Sequence, residues 1–393
     1  MLNDKKNICI VTEEFRPSEK GGIATWSSEL AKYFYKKNYN LTVFVKKRGG
    51  INKSFNINNS PFKIILMGGR DWAFFKKWYV IYFLFNYLKK NQKPIIFSTN
   101  WELSQGLIFY KKYFKFSLIT ILHGLEVTRL KSDKYKKKIN NFKKALFYSD
   151  KVVSVSNYTS ENARSIIESN KEIDIIPNFV NTKFYYPVDR ISLLSRYNLD
   201  KDDIILLSLS RLIKRKGHFA VLDILKSLTV KYPKIKYFIA GKGDQSYELS
   251  LKSYVKRLNL NDHVFFLGYI NEEDKKFIYN LCNIYLMTSL STDNEGNSEG
   301  FGITFLEANA CGKPVIGTKV GGISDAIQNG KNGYLINPNN SKELKKIIIK
   351  ILEDKSLYTS LCENSVRHVK NNFDINIIGK KFEILINELY DSL

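Results

Sequence analysis

Short unbroken apolar runs recur along this chain, each followed by a stretch with helical spacing. In the first half the runs are 7–12, 41–46, 95–98, 118–122 and 151–154. Helical patterns lie between them, the first over about 23–37, just after Gly21-Gly22. Continuous apolar strands separated by helices predict a parallel sheet covered on both faces. The pattern breaks at Ile175-Ile176-Pro177-Asn178-Phe179-Val180, where a loop runs to about Pro187 and residues 193–197 predict a short helix. The alternation then restarts. Residues 204–209, 236–240, 263–267, 284–288, 314–317 and 333–336 read as strands. Helices are expected from about Phe219, Tyr247, Glu272, Ile303, Gly322 and Ser341. Two successive doubly wound α/β units follow, residues 1–185 and 186–374, with a linker near 180–190. Ligands of such sheets sit at the carboxyl ends of strands, and two units facing each other make a cleft.

Composition sharpens this picture in two ways. With 393 residues, 44% of them hydrophobic, the chain can bury a core in each unit. The net charge is +24 and lies unevenly: residues 1–185 carry 33 Lys/Arg against 14 Asp/Glu, or +19. A first half this basic is expected to meet an anionic partner, unless it only mirrors a lysine-rich genome. Cys9, Cys282, Cys311 and Cys362 are far apart with no CxxC pair, and the four histidines are scattered. That argues for reduced thiols in a cytoplasmic protein and against a disulfide frame or a metal centre. The first residues run straight into a strand, so no secretory signal is expected. The longest apolar run, 78–88, is far short of the roughly 20 residues a spanning helix needs.

The most telling chemistry is Ser298-Glu299-Gly300-Phe301-Gly302-Ile303-Thr304-Phe305-Leu306-Glu307. Glu299 and Gly300 end a loop, and a helix is expected over 303–311. Gly300, Phe301 and Gly302 then present backbone N–H groups at a helix N-terminus, an anion site. Glu307 lies about two turns deeper. Carboxylates accept hydrogen bonds from hydroxyls. A diphosphate flanked by two hydroxyl-bearing rings, a nucleotide-sugar, suits that layout.

Other segments join it at strand ends. Arg211 follows one strand and Lys216 comes five residues later, cations suited to a diphosphate leaving group, although four cations in six residues also fit a solvated run. His123-Gly124 follows 118–122. Gly21-Gly22 and Gly241-Lys242-Gly243 follow strands without completing a dinucleotide fingerprint. Asp150 is expected to orient a loop. Asp200-Lys201-Asp202 precedes a strand and reads as surface. Residues 71–93 mix aromatics with lysines, and 131–144 hold seven lysines. Both suit a membrane interface or single-stranded nucleic acid, or a core helix with a lysine fringe.

Taken with Ala308-Asn309-Ala310-Cys311-Gly312-Lys313-Pro314-Val315-Ile316-Gly317-Thr318 and Gly321-Gly322, the Glu299–Glu307 segment resembles the signature of the family 4 retaining glycosyltransferases. Ser210-Arg211 with Lys216-Gly217, Ile176-Pro177-Asn178 and His123-Gly124 match the same family in the same order. The resemblance implies the GT-B fold, two facing Rossmann-like domains, with a last helix over about 375–390 returning to the first. It implies that Glu307 binds ribose hydroxyls and Glu299 the donor sugar. Arg211 and Lys216 would hold the diphosphate, helped by N–H groups of Gly22 and of Phe301, Gly302 and Ile303. Gly241 joins the nucleotide-binding set, the backbone at Tyr269-Ile270 would meet the base, and His123 would contact the sugar. Transfer would retain anomeric configuration without a metal or cofactor, the nucleotide-sugar being a UDP- or GDP-linked substrate. The segment 290–298 is longer than the lead-in of many members and resembles that of hexosyltransferases of bacterial surface glycans. The expected partner is a glycan or lipid-linked acceptor at the inner face of the plasma membrane, with peripheral contact to anionic lipid. A nucleotide-sugar epimerase or hydrolase is the alternative. A nucleic-acid binder fits only the charge and leaves Glu299 and Glu307 without a purpose.

Overall fold

Residues 5–17, 21–47, 60–68, 72–290 and 298–392 are described by the computed structural model. They divide into two compact units, one of residues up to 178 together with those from 375 on, the other of residues 179–374. In the first unit, β1 (Asn7–Thr12), β2 (Asn40–Lys46), β3 (Lys63–Met67), β4 (Ile95–Ser98), β5 (Ser117–Leu122), β6 (Lys151–Ser154) and β7 (Asp174–Ile175) form one parallel sheet. Its strand order is β3-β2-β1-β4-β5-β6-β7. Every residue of β4 and β5 is buried, as the unbroken apolar runs require. Neither β3 nor β7 is among the strands expected above. β3 is a short edge strand with half-exposed positions, and β7 is two residues held only by β6. Runs this short have no periodicity of their own.

The closing helix Ile375–Asp391 belongs to this unit and lies against the helix Gly22–Lys36. Phe382 meets Trp26 and Phe97 edge-on, with centroids 5.8 Å from each. Gly379 faces Tyr33 so closely that a Cβ would stand 2.4 Å from its ring.

In the second unit, β8 (Ile204–Leu209), β9 (Ile235–Ala240), β10 (Val264–Gly268), β11 (Ile284–Met287), β12 (Val315–Thr318) and β13 (Gly333–Ile336) are parallel in the order β10-β9-β8-β11-β12-β13. Sequence order reverses between β8 and β11, the switch point at which doubly wound sheets bind ligands. In the first unit the reversal falls between β1 and β4.

The helix Lys355–Asn372 has no counterpart among the expected elements. It is too polar to show an apolar stripe; Leu361, Ser365 and Val369 are its buried residues. Its contribution is partly polar. Asn309 donates from Nδ2 to Ser365 Oγ at 2.9 Å and to the carbonyls of Lys313 and Asn332, while Asn332 Nδ2 donates back to Asn309 Oδ1 at 2.8 Å. All these side-chain groups are buried, so the network fixes the end of the helix Ile303–Ala310.

Candidate active site

The loop after β8 and the loop after β11 meet at the switch point of the second unit. Thr288 Oγ1 donates to the Gly217 carbonyl at 2.7 Å, and Leu290 N–H donates to the Arg215 carbonyl at 2.8 Å. Gly217 has φ +73°, and a Cβ there would lie 1.8 Å from the Thr288 carbonyl oxygen. Only glycine lets the two loops approach this closely.

That approach brings cations onto a carboxylate. Lys216 Nζ and Arg215 Nη1 both donate to Glu299 Oε2, at 2.6 and 2.7 Å. The three side chains are 9, 13 and 15% exposed, so little water screens them. Burial alone would raise the Glu299 carboxyl; Lys216 and Arg215 override it and hold it down at about 2. Burial draws the Lys216 ammonium below its ordinary value, against the pull of Glu299. The Glu299 carbonyl accepts from Gly322 N–H at 2.9 Å, which ties the loop to Gly321-Gly322.

Arg211 behaves differently. The next residue is clamped: Leu212 N–H donates to the Lys242 carbonyl and Asp244 N–H to the Leu212 carbonyl, while the Arg211 carbonyl accepts from Ile213 N–H. The Arg211 guanidinium is exposed at the carboxyl end of β8 and makes no ion pair among the described residues. The four-cation run is therefore not a uniform solvated stretch: Lys214 and Arg211 reach water, Lys216 is buried and Arg215 is half-buried.

The helix Ile303–Ala310 starts at Gly302, as expected. The N–H groups of Gly300, Phe301, Gly302 and Ile303 donate to nothing among the described residues, leaving an anion-binding end. Glu307 lies on this helix, 2% exposed. Tyr279 OH donates to its Oε2 at 2.7 Å, and Lys275 Nζ stands 3.9 Å from Oε1. Tyr269 and Ile270 follow β10, with Tyr269 40% exposed.

Gly241, expected in the nucleotide-binding set, directly follows β9. Its N–H donates to the Gly268 carbonyl at 2.6 Å and so is not available to a phosphate. Crowding explains the glycine: a Cβ would stand 1.8 Å from the Ser210 carbonyl oxygen. The close approach seats the strand end from which Arg211 emerges.

In the first unit, His123 follows β5 and its ring meets Trp26 edge-on at 5.2 Å. His123 Nε2 is closed off from solvent and has no hydrogen-bond partner. Burial pushes the imidazole down to about 3, which keeps it neutral. Glu126 Oε1 accepts from His123 N–H at 2.5 Å and Gly124 N–H at 3.3 Å, fixing this turn. Gly22 opens its helix and is exposed. Asp150 orients a loop, as expected, accepting from Leu118 N–H at 2.6 Å and pairing with Lys111. Asp200 and Asp202 are surface residues beside Lys234.

Two family models divide the chain between them. Residues 20–184 match "Glycosyltransferase Family 4" and residues 189–368 match "Glycosyl transferases group 1". The chain belongs to glycosyltransferase family 4. N-acetyl-alpha-D-glucosaminyl L-malate synthase of Bacillus anthracis is 27% identical over 69% of this chain and 68% of its own. A GDP-mannose-dependent alpha-(1-6)-phosphatidylinositol monomannoside mannosyltransferase of Mycobacterium tuberculosis is 27% identical over 52% of this chain and 53% of its own. Among solved structures, sucrose-phosphate synthase from Thermosynechococcus elongatus has TM-score 0.86 at 22% identity over 99% of this chain and 100% of that one. Anabaena HepE in complex with UDP has TM-score 0.81 at 18% identity over 97% of this chain and 100% of that one. These likenesses fix the fold as GT-B.

Three residues of this glycosyltransferase's site went unread in its sequence: Arg215, Tyr279 and Lys275. Arg215 is hidden inside a basic run. Tyr279 and Lys275 lie on the helix Glu272–Leu281, 28 and 32 positions before Glu307, and only packing brings them to it. Of the long lead-in loop, residues 291–297 lie outside the described residues.

Proposed function

We propose that this glycosyltransferase moves a hexose from a UDP- or GDP-linked donor to a surface-glycan precursor, with retention of configuration and without a metal or cofactor. The observation that carries the donor reading is the switch point of the second unit. There an unpaired guanidinium, a buried ammonium–carboxylate cluster and a helix N-terminus with free N–H groups lie in one unit, on strand-end loops. Arg211, Lys216 and the N–H groups of Phe301, Gly302 and Ile303 take the diphosphate, whose charge grows as the sugar leaves. Glu299 takes sugar hydroxyls and Glu307 the ribose. Tyr269 and Ile270 border the base. His123, neutral and with a free Nε2, is the first unit's candidate for sugar recognition, and Gly22 its N–H donor to phosphate.

The acceptor in this reading is lipid-linked or otherwise amphiphilic, met by peripheral contact at the inner face of the plasma membrane. The +19 balance of residues 1–185 supports it, as does the phosphatidylinositol mannoside acceptor named for the mycobacterial relative. No helix among the described residues is long and apolar enough to cross a membrane.

Calorimetry with UDP, GDP, UDP-hexoses and GDP-hexoses tests the site. Glu307→Gln weakens the nucleoside diphosphate and its sugar conjugate alike, whereas Glu299→Gln weakens mainly the conjugate. Equal losses for both ligands in both variants overturn the division of roles.

A further inference from the structure

The helix Trp72–Lys90 has two apolar faces. Val80, Leu84, Tyr87 and Leu88 are buried in the core beneath it. On the opposite side Phe75, Trp78, Tyr82 and Phe85 are 50, 62, 74 and 45% exposed. Their spacings of three, four and three residues make one stripe along the helix. The turn after the next helix extends it. Phe85 touches Tyr110 and Phe114, with centroids at 6.3 and 6.0 Å. Tyr110, a buried core residue, touches Phe109, and Phe109 touches Tyr113, at 5.3 and 5.7 Å. Phe109 and Tyr113 are themselves 47 and 67% exposed. Two exposed aromatic groups, joined through the buried Tyr110, mark an interaction surface rather than scattered surface apolarity.

The charge around it names the occupant. Residues 72–90 and 109–116 contain no Asp or Glu. Lys77, Lys89, Lys90, Lys112 and Lys115 are exposed, and none has an acidic partner among the described residues. Exposed Trp and Tyr rings suit the headgroup layer of a bilayer, and unpaired lysines beside them suit anionic headgroups. The lysine-rich segment 131–144 is the weaker candidate. Lys136 pairs with Asp133, Lys138 with Glu102 and Lys143 with Glu168, so three of its seven lysines are already committed.

We propose that the aromatic face of Trp72–Lys90, continued by Phe109 and Tyr113, docks this enzyme on an anionic lipid bilayer, with Trp78 and Tyr82 seated among the headgroups. This rests on the reading of the acceptor as an amphiphile met at a membrane, and adds which surface makes the contact.

The chain carries its own probe. Of its four tryptophans, Trp26, Trp72 and Trp101 are 1–2% exposed and Trp78 is 62% exposed. With the full chain and vesicles of phosphatidylcholine plus phosphatidylglycerol, lipids brominated near the headgroup should quench tryptophan emission. Trp78→Phe should remove the quenching but keep binding. Trp78→Ser with Tyr82→Ser, and separately the five unpaired lysines changed to Gln, should each weaken co-sedimentation roughly tenfold or more. Vesicles of phosphatidylcholine alone should bind little. Circular dichroism and nucleoside diphosphate binding should stay at wild-type values in all of these.

Unquenched emission, wild-type binding by the serine variant, or loss of binding only on Phe147→Ser with Tyr148→Ser, an exposed pair elsewhere in the unit, would each overturn the proposal. So would a dimer in sedimentation velocity that the serine variant abolishes, since a second copy would then cover the face. The two readings fail separately. Transfer only to water-soluble acceptors, with quenching intact, removes the acceptor reading and leaves the surface. Undiminished transfer to vesicle-borne acceptor by the serine variant removes the surface and leaves the acceptor.

Discussion

At the scale of single residues, the ionic cluster at Glu299 sets both a binding site and a pH dependence. The Glu299 carboxyl is held at about 2 against an ordinary 4.5. A depressed carboxyl contributes stability that is complete above its unfolded value and is lost as pH falls through its folded value. The window therefore runs from about pH 4.5 down to 2, and the contribution is on the order of 3 kcal/mol. Melting temperature should fall across this window in the wild type and less steeply in Glu299→Gln; parallel slopes would remove Glu299 as the source. Arg215→Ala should shift the window upward, because one of two cations on Oε2 is gone. Tyr279→Phe should weaken nucleoside diphosphate binding by roughly tenfold or more, since a hydrogen bond to a charged group is worth about 1.5–3 kcal/mol and here orients Glu307. Unchanged affinity by calorimetry would make Tyr279 a packing residue only. Arg211→Ala should cut kcat by roughly 10²–10³ with the fold intact, the usual loss when one preorganised charge partner goes.

Elements place these residues, and glycines set how closely elements meet. Gly217→Ala puts a Cβ 1.8 Å from the Thr288 carbonyl oxygen at a φ of +73°, so either the Lys216 loop or the end of β11 must move. Strained backbone alone costs about 1–3 kcal/mol. The variant should unfold at lower urea and lose turnover beyond what its stability explains; wild-type kcat/KM would show that Lys216 tolerates displacement. Strand ends and βα turns were legible along the chain because buried parallel strands are unbroken apolar runs. Hence β1, β4, β6, β8 and β13 lie where those runs lie. β3, β7 and the helix Lys355–Asn372 were not legible. An edge, a two-residue pairing and a polar network are held by neighbours rather than by local pattern.

For the whole molecule, the proposed reaction draws its positive charge from Arg211, Lys216 and a helix N-terminus. Activity should therefore persist in excess EDTA; full loss, restored by Mn²⁺ or Mg²⁺, would contradict metal independence. The basic first half is a second whole-molecule property. Its charge was countable in the sequence, but which lysines are free was not, because Lys76, Lys111, Lys136, Lys138 and Lys143 find acidic partners only in the folded chain.

Legible in the chain alone were the two doubly wound units, the family, the strand ends that bear Arg211, Lys216 and His123, and the loop and helix start that bear Glu299 and Glu307. Each of these depends on residues close together in the chain: an apolar run, a glycine turn, a helix start. Folding in three dimensions makes Arg215 share Glu299 with Lys216 across more than eighty residues, sets Tyr279 against Glu307, and spends the N–H of Gly241 on Gly268. It also sets which side of Trp72–Lys90 faces water. A helix aromatic nearly all round has no single stripe to read, so packing against the sheet, not periodicity, selects the buried face.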